Sequence, residues 1–484
     1  MGDRERGWCG VPKVRTWQLA AGAAVAGLAL AAGAVAAAGP WDSGQRKAER
    51  QWAVAHGRTG GVHHGPAPQR PAPAPSAPVV LAAVGGPRPV SAKDATQDAA
   101  KEPAPAPADL AKTLGPLLRA PGLGPSPTAC VVDLGTGKRL YGKGATAPMT
   151  PASTVKIATA AAALTALGPD HRIPTTVVAT AEAKEITLVG GGDATLDRGG
   201  LATLADRTAR ALRDRGAGTV RLAHDTSLYA GPLLHRIGPN DNIAPVSALM
   251  VDQGRNDPMS TGAATRTADP AGEAARVFAT MLEERGVHVS GVVRPGRAPA
   301  KAVPLAQVLS EPLSAVVERM LTSSDNDIAE SLARQTAIAT GEKADFAGAG
   351  RAVTGQLRRL QLPLAGARFA DGSGLDRRDK VSAAFLTALL ARSGDPAHPE
   401  LRPVLTGLPV AGFTGTLENR YAPSSAGSGL VRAKTGTLSG VNALAGTVVT
   451  PGGRLLGFAF LADGTPSRGT AQHALDRLAS SLAK

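Results

Sequence analysis

Met149-Thr150-Pro151-Ala152-Ser153-Thr154-Val155-Lys156-Ile157-Ala158 is the stretch that decides how this chain folds. Thr150 is a good N-cap and Pro151 suits the first helical position, so a helix is predicted to open just before Ser153. The Ala/Leu-rich run 155–167 continues it, and Gly168-Pro169 stops it. Ser153 and Lys156 then share one helix face. A serine hydroxyl is a poor nucleophile until a neighbouring base takes its proton. A lysine buried near other cationic groups has its pKa lowered and can be that base. The helix dipole also favours negative charge developing near Ser153. Taken alone, these letters better describe a capping serine and a solvated lysine.

Two later strings change that balance. Ser324-Asp325-Asn326 joins a helical face (Leu313, Val316, Val317, Met320, Leu321) to a second one (Ile328, Ala329, Leu332, Ala333). At such a polar corner Ser324 is a candidate proton relay and Asn326 a candidate holder of a substrate amide. Asp325 reads as structural, a cap of the second helix. Lys434-Thr435-Gly436-Thr437 opens a strand-rich tail, with strands expected over 441–449 and 455–462 around a Pro451-Gly452-Gly453 turn. An amphipathic helix is expected over 470–482. A strand edge beside Ser153 binds an extended peptide, Gly436 permits close approach, and Lys434 attracts a carboxylate. The N–H groups of Ser153 and Thr437 are the expected oxyanion hole. Each string is weak alone; S-x-x-K, S-x-N and K-T-G in this order are specific.

With these boxes the chain resembles a low-molecular-mass penicillin-binding protein. More narrowly, it is similar to the DacB-like, class C D-alanyl-D-alanine carboxypeptidase/endopeptidase family of serine peptidases. Further matching stretches are Leu188-Val189-Gly190-Gly191-Gly192-Asp193, Asp371-Gly372-Ser373-Gly374-Leu375 and Gly412-Phe413-Thr414-Gly415-Thr416-Leu417. The resemblance runs from about residue 110 to the C-terminus. It implies an α/β (α+β) penicillin-binding-protein/β-lactamase-like fold, an antiparallel sheet flanked by helices plus an all-helical part. It also implies roles: Ser153 acylated by the penultimate D-Ala of a peptidoglycan stem peptide ending in D-Ala-D-Ala, Lys156 as base, and Ser324 relaying the leaving-group proton. Asn326 would orient the substrate, and Lys434, Thr435 and Thr437 would hold its terminal carboxylate beside Gly436. β-Lactams would act as covalent inhibitors by mimicking D-Ala-D-Ala. A β-lactamase-like hydrolase and a non-catalytic penicillin-binding or wall-sensing protein are the rivals. Against the first, no E-x-x-L-N string lies between the second and third boxes.

Ser153 and Ser324 are 171 positions apart, whereas Ser324 and Lys434 are 110 apart. Class A β-lactamases resemble the second interval but have a much shorter first one. The excess implies an inserted α/β domain over 178–295, with catalytic segments 109–177 and 296–484 on either side. Its expected elements are strand 185–188, helix 201–215, strand 220–223, helix 272–285 and strand 287–292.

The remainder places the protein in the cell. Segment 1–18 carries two more basic than acidic residues, and 19–38 is uncharged and apolar for 20 residues. This is an export element, positive flank on the cytoplasmic side. Ala36-Ala37-Ala38 fits cleavage of a signal peptide, while the length fits a membrane anchor and tips the choice slightly that way. Residues 39–108 are rich in Pro, Ala and Gly and are expected to form an extended, disordered linker. A net charge of +14 suits an anionic wall, and 3% aromatic residues argue against a nucleic-acid partner. Of the two cysteines, Cys9 and Cys130, only Cys130 lies beyond the export element, so no disulfide is expected. Gly190-Gly191-Gly192 lacks a following G-K-[ST], His63-His64 lies in low-complexity sequence, and H-E-x-x-H is absent. Neither cofactor nor metal is expected.

Overall fold

The computed structural model describes residues 105–484, residue 261 apart. The export element and most of the linker lie outside these residues. Helix α1 (Pro107–Leu117) starts two residues inside the expected linker limit and buries Leu110 and Leu114. Strands β1 (Thr128–Asp133) and β2 (Arg139–Lys143) follow. A 3-10 turn, Ala152–Val155, then runs into helix α2 (Lys156–Leu167). The chain next forms β3 (Pro174–Ala179), β4 (Glu185–Val189), α3 (Arg198–Arg213), β5 (Thr219–Asp225) and α4 (Pro270–Glu283). Two short pieces, β6 (His288–Val289) and β7 (Arg294–Pro295), lead to β8 (Val303–Leu309). Helices α5 (Leu313–Ser323), α6 (Asn326–Ala339), α7 (Phe346–Arg359), α8 (Ala383–Gly394) and α9 (Arg402–Thr406) follow. Strands β9 (Val431–Leu438), β10 (Val441–Val449) and β11 (Leu455–Asp463) and helix α10 (Arg468–Ser481) complete the chain.

The main sheet has the order β2-β1-β11-β10-β9, antiparallel throughout. Both of its faces are covered, which is why β10 is buried at nearly every position rather than at alternate ones. On one face Ala129, Val131, Leu444, Phe458 and Phe460 pack with α1 and α10. On the other, Cys130, Val132, Ala443, Ala459 and Leu461 pack with the helical part. Helix α2 is buried from Lys156 to Leu164. Its alanines let neighbouring helices come close, so this short helix forms the centre of the larger core.

The second sheet is mixed, in the order β6-β5-β4-β3-β8, with β7 also paired to β5. β3 pairs antiparallel with β4 and β8, while β4, β5 and β6 run parallel. It therefore draws strands from 174 and up to 309, on both sides of the expected insert limits. Helices α3 and α4 cover its apolar face through Leu201, Leu204, Leu212, Phe278 and Leu282. The strand expected over 287–292 is broken: Gly291 has φ +78° and β6 stops at Val289. No helix among the described residues is long and apolar enough to cross a membrane.

Candidate active site

Thr150 does not cap the first helix. Its hydroxyl accepts from Lys380 Nζ at 2.7 Å, and Ser153 sits in the 3-10 turn ahead of α2. The tighter turn is held by Pro151, whose carbonyl accepts from Thr154 Oγ1 at 2.7 Å. Ala152 adopts φ +47°, an unusual value for a residue with a Cβ. Two glycines make room for this backbone. A Cβ on Gly436 of β9 would stand 2.5 Å from the Pro151 carbonyl oxygen, and one on Gly374 would stand 2.1 Å from that of Ala152. The K-T-G strand and the 371–374 loop thus clamp the Ser153 turn from two sides.

Lys156 is fully buried at the first position of α2. Its Nζ donates to Ser153 Oγ at 3.0 Å, to Asn326 Oδ1 at 2.7 Å and to the Ser373 carbonyl at 2.6 Å. Burial pulls its pKa down to about 8, against the upward pull of Asp371, Asp325, Glu330 and Asp379. The lowering agrees with the sequence expectation, but its cause is desolvation rather than cationic neighbours. Lys434 on β9 is also fully buried, and its Nζ donates to the Thr435 carbonyl at 3.1 Å. Burial first, then Lys156 and Arg420, push it well below the ordinary lysine range.

Ser324 ends α5 in the left-handed region, φ +59° and ψ +37°, a conformation that costs a serine on the order of 1 kcal/mol. Asp325 caps α6 by accepting from the Ile328 N–H at 2.9 Å, the structural part expected of it. Asn326 splits its amide: Oδ1 accepts from Lys156, and Nδ2 donates to the Asn242 carbonyl at 2.9 Å. The next residue, Asp327, is pushed up to about 6 by burial and by Asp325, with Arg266 opposing. Its Oδ2 faces Arg266 at 3.1 Å and its Oδ1 accepts from the Ala244 N–H at 2.9 Å. The segment between β5 and α4 therefore docks directly on the helix carrying the S-x-N box.

A cleft of about 460 Å³ opens where these parts meet. Ser153, Ser324, Asn326, Thr435 and Thr437 line it, whereas Lys156, Lys434 and Gly436 lie behind its wall. Thr435 Oγ1 donates to Thr416 Oγ1 at 2.9 Å, and Gln472 Nε2 reaches Thr437 Oγ1 at 3.5 Å. Arg255, Arg266, Arg420 and Arg468 line the cleft together with Asp325 and Asp327, and Arg266 and Arg420 are paired with Asp327 and Asp476.

The 371–374 stretch, which in the sequence carried only a family resemblance, takes a direct part in the site. The Ser373 carbonyl is a ligand of Lys156, and a backbone atom leaves no residue signature. Also missed was the buried layer beneath it: His235 Nε2 lies 2.9 Å from Asp371 Oδ2, and Asp371 accepts from the N–H groups of Gly374 and Asp376. His235, Glu330 and Asp371 approach one another closely enough to invite a metal reading. Both Asp371 oxygens and Glu330 Oε1 instead accept from backbone N–H groups, Asp371 Oδ2 also meets His235, and Glu330 Oε2 faces the Arg334 guanidinium at 3.5 Å.

A turn that presents serine to a buried lysine, clamped between an edge strand and a helical corner, defines an acyl-transferring serine enzyme of the penicillin-binding-protein/β-lactamase-like fold. The fold matches the crystal structure of penicillin binding protein 4 (dacB) from Haemophilus influenzae with a TM-score of 0.64, at 21% identity over 78% of this chain and 98% of that one. The chain belongs to the D-Ala-D-Ala carboxypeptidase 3 (S13) family, whose model matches residues 110–261 and 256–482. It is a serine-type D-Ala-D-Ala carboxypeptidase. It is 37% identical to carboxypeptidase DacB of Mycolicibacterium smegmatis over 398 residues, covering 78% of this chain and 85% of that protein. It is 32% identical to a D-alanyl-D-alanine carboxypeptidase of an Actinomadura species over 439 residues, covering 72% and 80%.

Proposed function

We propose that this protein is an exported, penicillin-sensitive carboxypeptidase that trims peptidoglycan stem peptides through an acyl-enzyme on Ser153. The observation that carries the assignment is the 3.0 Å contact between Ser153 Oγ and a buried Lys156 whose pKa falls to about 8. Neutral Lys156 takes the hydroxyl proton as Oγ attacks the carbonyl of the penultimate D-Ala. The oxyanion is met by the N–H groups of Ser153 and Thr437. The proton taken by Lys156 is passed through Ser324 to the departing amine, and terminal D-Ala leaves. Water then hydrolyses the ester and regenerates the hydroxyl. Thr435 and Thr437 hold the terminal carboxylate, with Lys434 beneath the strand supplying field rather than contact, and Asn326 orients substrate and base together. β-Lactams enter as mimics of D-Ala-D-Ala; a crystal structure of the Haemophilus relative carries one.

The insert is drawn to include the whole second sheet, about 174–309, and the anchor or signal 19–38 with its linker places the catalytic part outside the cytoplasmic membrane. The insert borders the cleft through Asn242, Arg255 and Arg266, which favours water over a large acceptor amine. Cross-link hydrolysis needs the same D-Ala carbonyl at Ser153 with a bulkier leaving group, so endopeptidase activity is present but slower. Purified enzyme incubated with pentapeptide monomer and with cross-linked muropeptide dimer should release D-Ala faster than it cleaves dimer. Net dimer formation from monomer would contradict the hydrolase assignment.

A further inference from the structure

Two of the three acceptors that hold Lys156 Nζ trace back to one helix. Asn326, at the head of α6, accepts directly. The Ser373 carbonyl belongs to the 371–374 loop, and its direction is set by the peptide units around it. One helical turn beyond Asn326, Glu330 Oε1 accepts the N–H groups of Gly372 at 3.0 Å and Ser373 at 2.9 Å. Glu330 is fully buried, and its other oxygen lacks a hydrogen bond and faces Arg334 Nη1 at 3.5 Å. Arg334 is buried too, its guanidinium 4.2 Å from the centre of the Phe346 ring. A buried ion pair is weak evidence for stability, because desolvation of both charges offsets their attraction. Against the loop that meets the lysine, this pair has a different use.

We propose that Glu330 is a positioning residue for acylation: by accepting the N–H groups of Gly372 and Ser373, it aims the Ser373 carbonyl at Lys156 Nζ. This rests on Lys156 being the general base. Helix α6 then sets the lysine from two directions, through the Asn326 side chain and through a loop that Glu330 holds still. The charged groups facing Nζ are Asp325 and Glu330 from α6 and its cap, Asp371 and Asp379 from the loop beyond α7, and Lys434 from β9.

The test compares two double variants of the full chain. Arg334→Met accompanies each Glu330 substitution, so that no buried guanidinium is left uncompensated. Glu330→Gln keeps an oxygen for the two N–H groups, whereas Glu330→Ala removes it; the two doubles carry the same charge. The readout is the pH profile of the second-order rate of acylation by a fluorescent penicillin. At the plateau the alanine double should react roughly tenfold or more slowly than the glutamine double, since small misplacements of a catalytic group cost this much. Its acid limb should also lie at lower pH, because an ammonium that has lost a carbonyl acceptor releases its proton more readily. Equal plateaus and limbs in the two doubles overturn the proposal. If the alanine double does not fold, the glutamine double decides: it should keep at least roughly a tenth of the unsubstituted rate, on the same positional argument. A loss as deep as that of Lys156→Ala overturns the proposal. Lys156→Ala acylating at full rate would sink the base assignment and this proposal together, whereas equal doubles beside an inert Lys156→Ala sink only the proposal.

Discussion

The rate of acylation should rise with pH along a limb centred on Lys156. Only the neutral amine accepts the Ser153 proton, so the rate follows the deprotonated fraction. With a pKa of about 8 that fraction is roughly 0.09 at pH 7, whereas an ordinary value of 10.5 would leave roughly 0.0003. Burial thus increases the active form roughly 300-fold at neutral pH. Below the limb the rate should change about tenfold for each pH unit, and it should flatten above it. The four carboxylates around the lysine pull the midpoint upward, and desolvation, the larger effect, pulls it down. The assay is the second-order rate of fluorescent penicillin labelling from acid to alkaline pH, with ionic strength held constant. A rate independent of pH between 6 and 9, or a limb centred on the ordinary lysine value, would refute the claim that a desolvated Lys156 is the base.

Gly436→Ala would bring a Cβ to 2.5 Å from the Pro151 carbonyl oxygen, with Thr154 Cγ2 and Ala443 Cβ both at 3.2 Å. β9 must then retreat from the Ser153 turn, and acylation should fall roughly 10–100-fold while the protein stays folded; an unimpaired rate would mean the strand is not a fixed wall of the site. A chain starting at residue 105 should be active, but one starting at residue 119 should lose α1 and with it the burial of Leu110 and Leu114. That burial contributes about 3–6 kcal/mol, so thermal unfolding of the shorter chain should fall sharply; equal melting would deny α1 a structural part. Lys434→Ala should weaken turnover of peptides with a free terminal carboxylate more than that of amidated ones. Equal losses for both would leave Lys434 a purely structural cation under β9.

The elements carrying local signals were legible in the sequence. The β10–β11 hairpin and α10 were expected within two residues of where they lie, because two near-continuous apolar runs flank a Pro-Gly-Gly turn and a 3.6-residue apolar pattern follows them. The three boxes, ordered along the chain, do converge on one cleft. What escaped is non-local. Strand β3, Pro-Thr-Thr-Val-Val-Ala, carries the β-branched letters of a strand but is not among the expected elements, whereas β8 contains Pro304 at a register shift opposite Val178 and does not read as a strand until its partner is in place. Thr150-Pro151 has the letters of a helix start, yet the clamp of Gly436 and Gly374 forces a 3-10 turn instead. Glu330 and Arg334 sit on what reads as the polar side of α6, and nothing in their spacing says that both are buried. His235 lies in an irregular segment, and only the folded chain brings it to Asp371.

The central claim is that Ser153 forms the acyl-enzyme. Enzyme treated with a penicillin should be digested and the modified peptide sequenced by mass spectrometry, beside a Ser153→Ala variant shown to be folded. The account predicts one penicilloyl adduct, on Ser153, and none on the variant, which also releases no D-Ala from a pentapeptide. An adduct on Ser324 or another serine, or a covalent adduct that survives in Ser153→Ala, would contradict it.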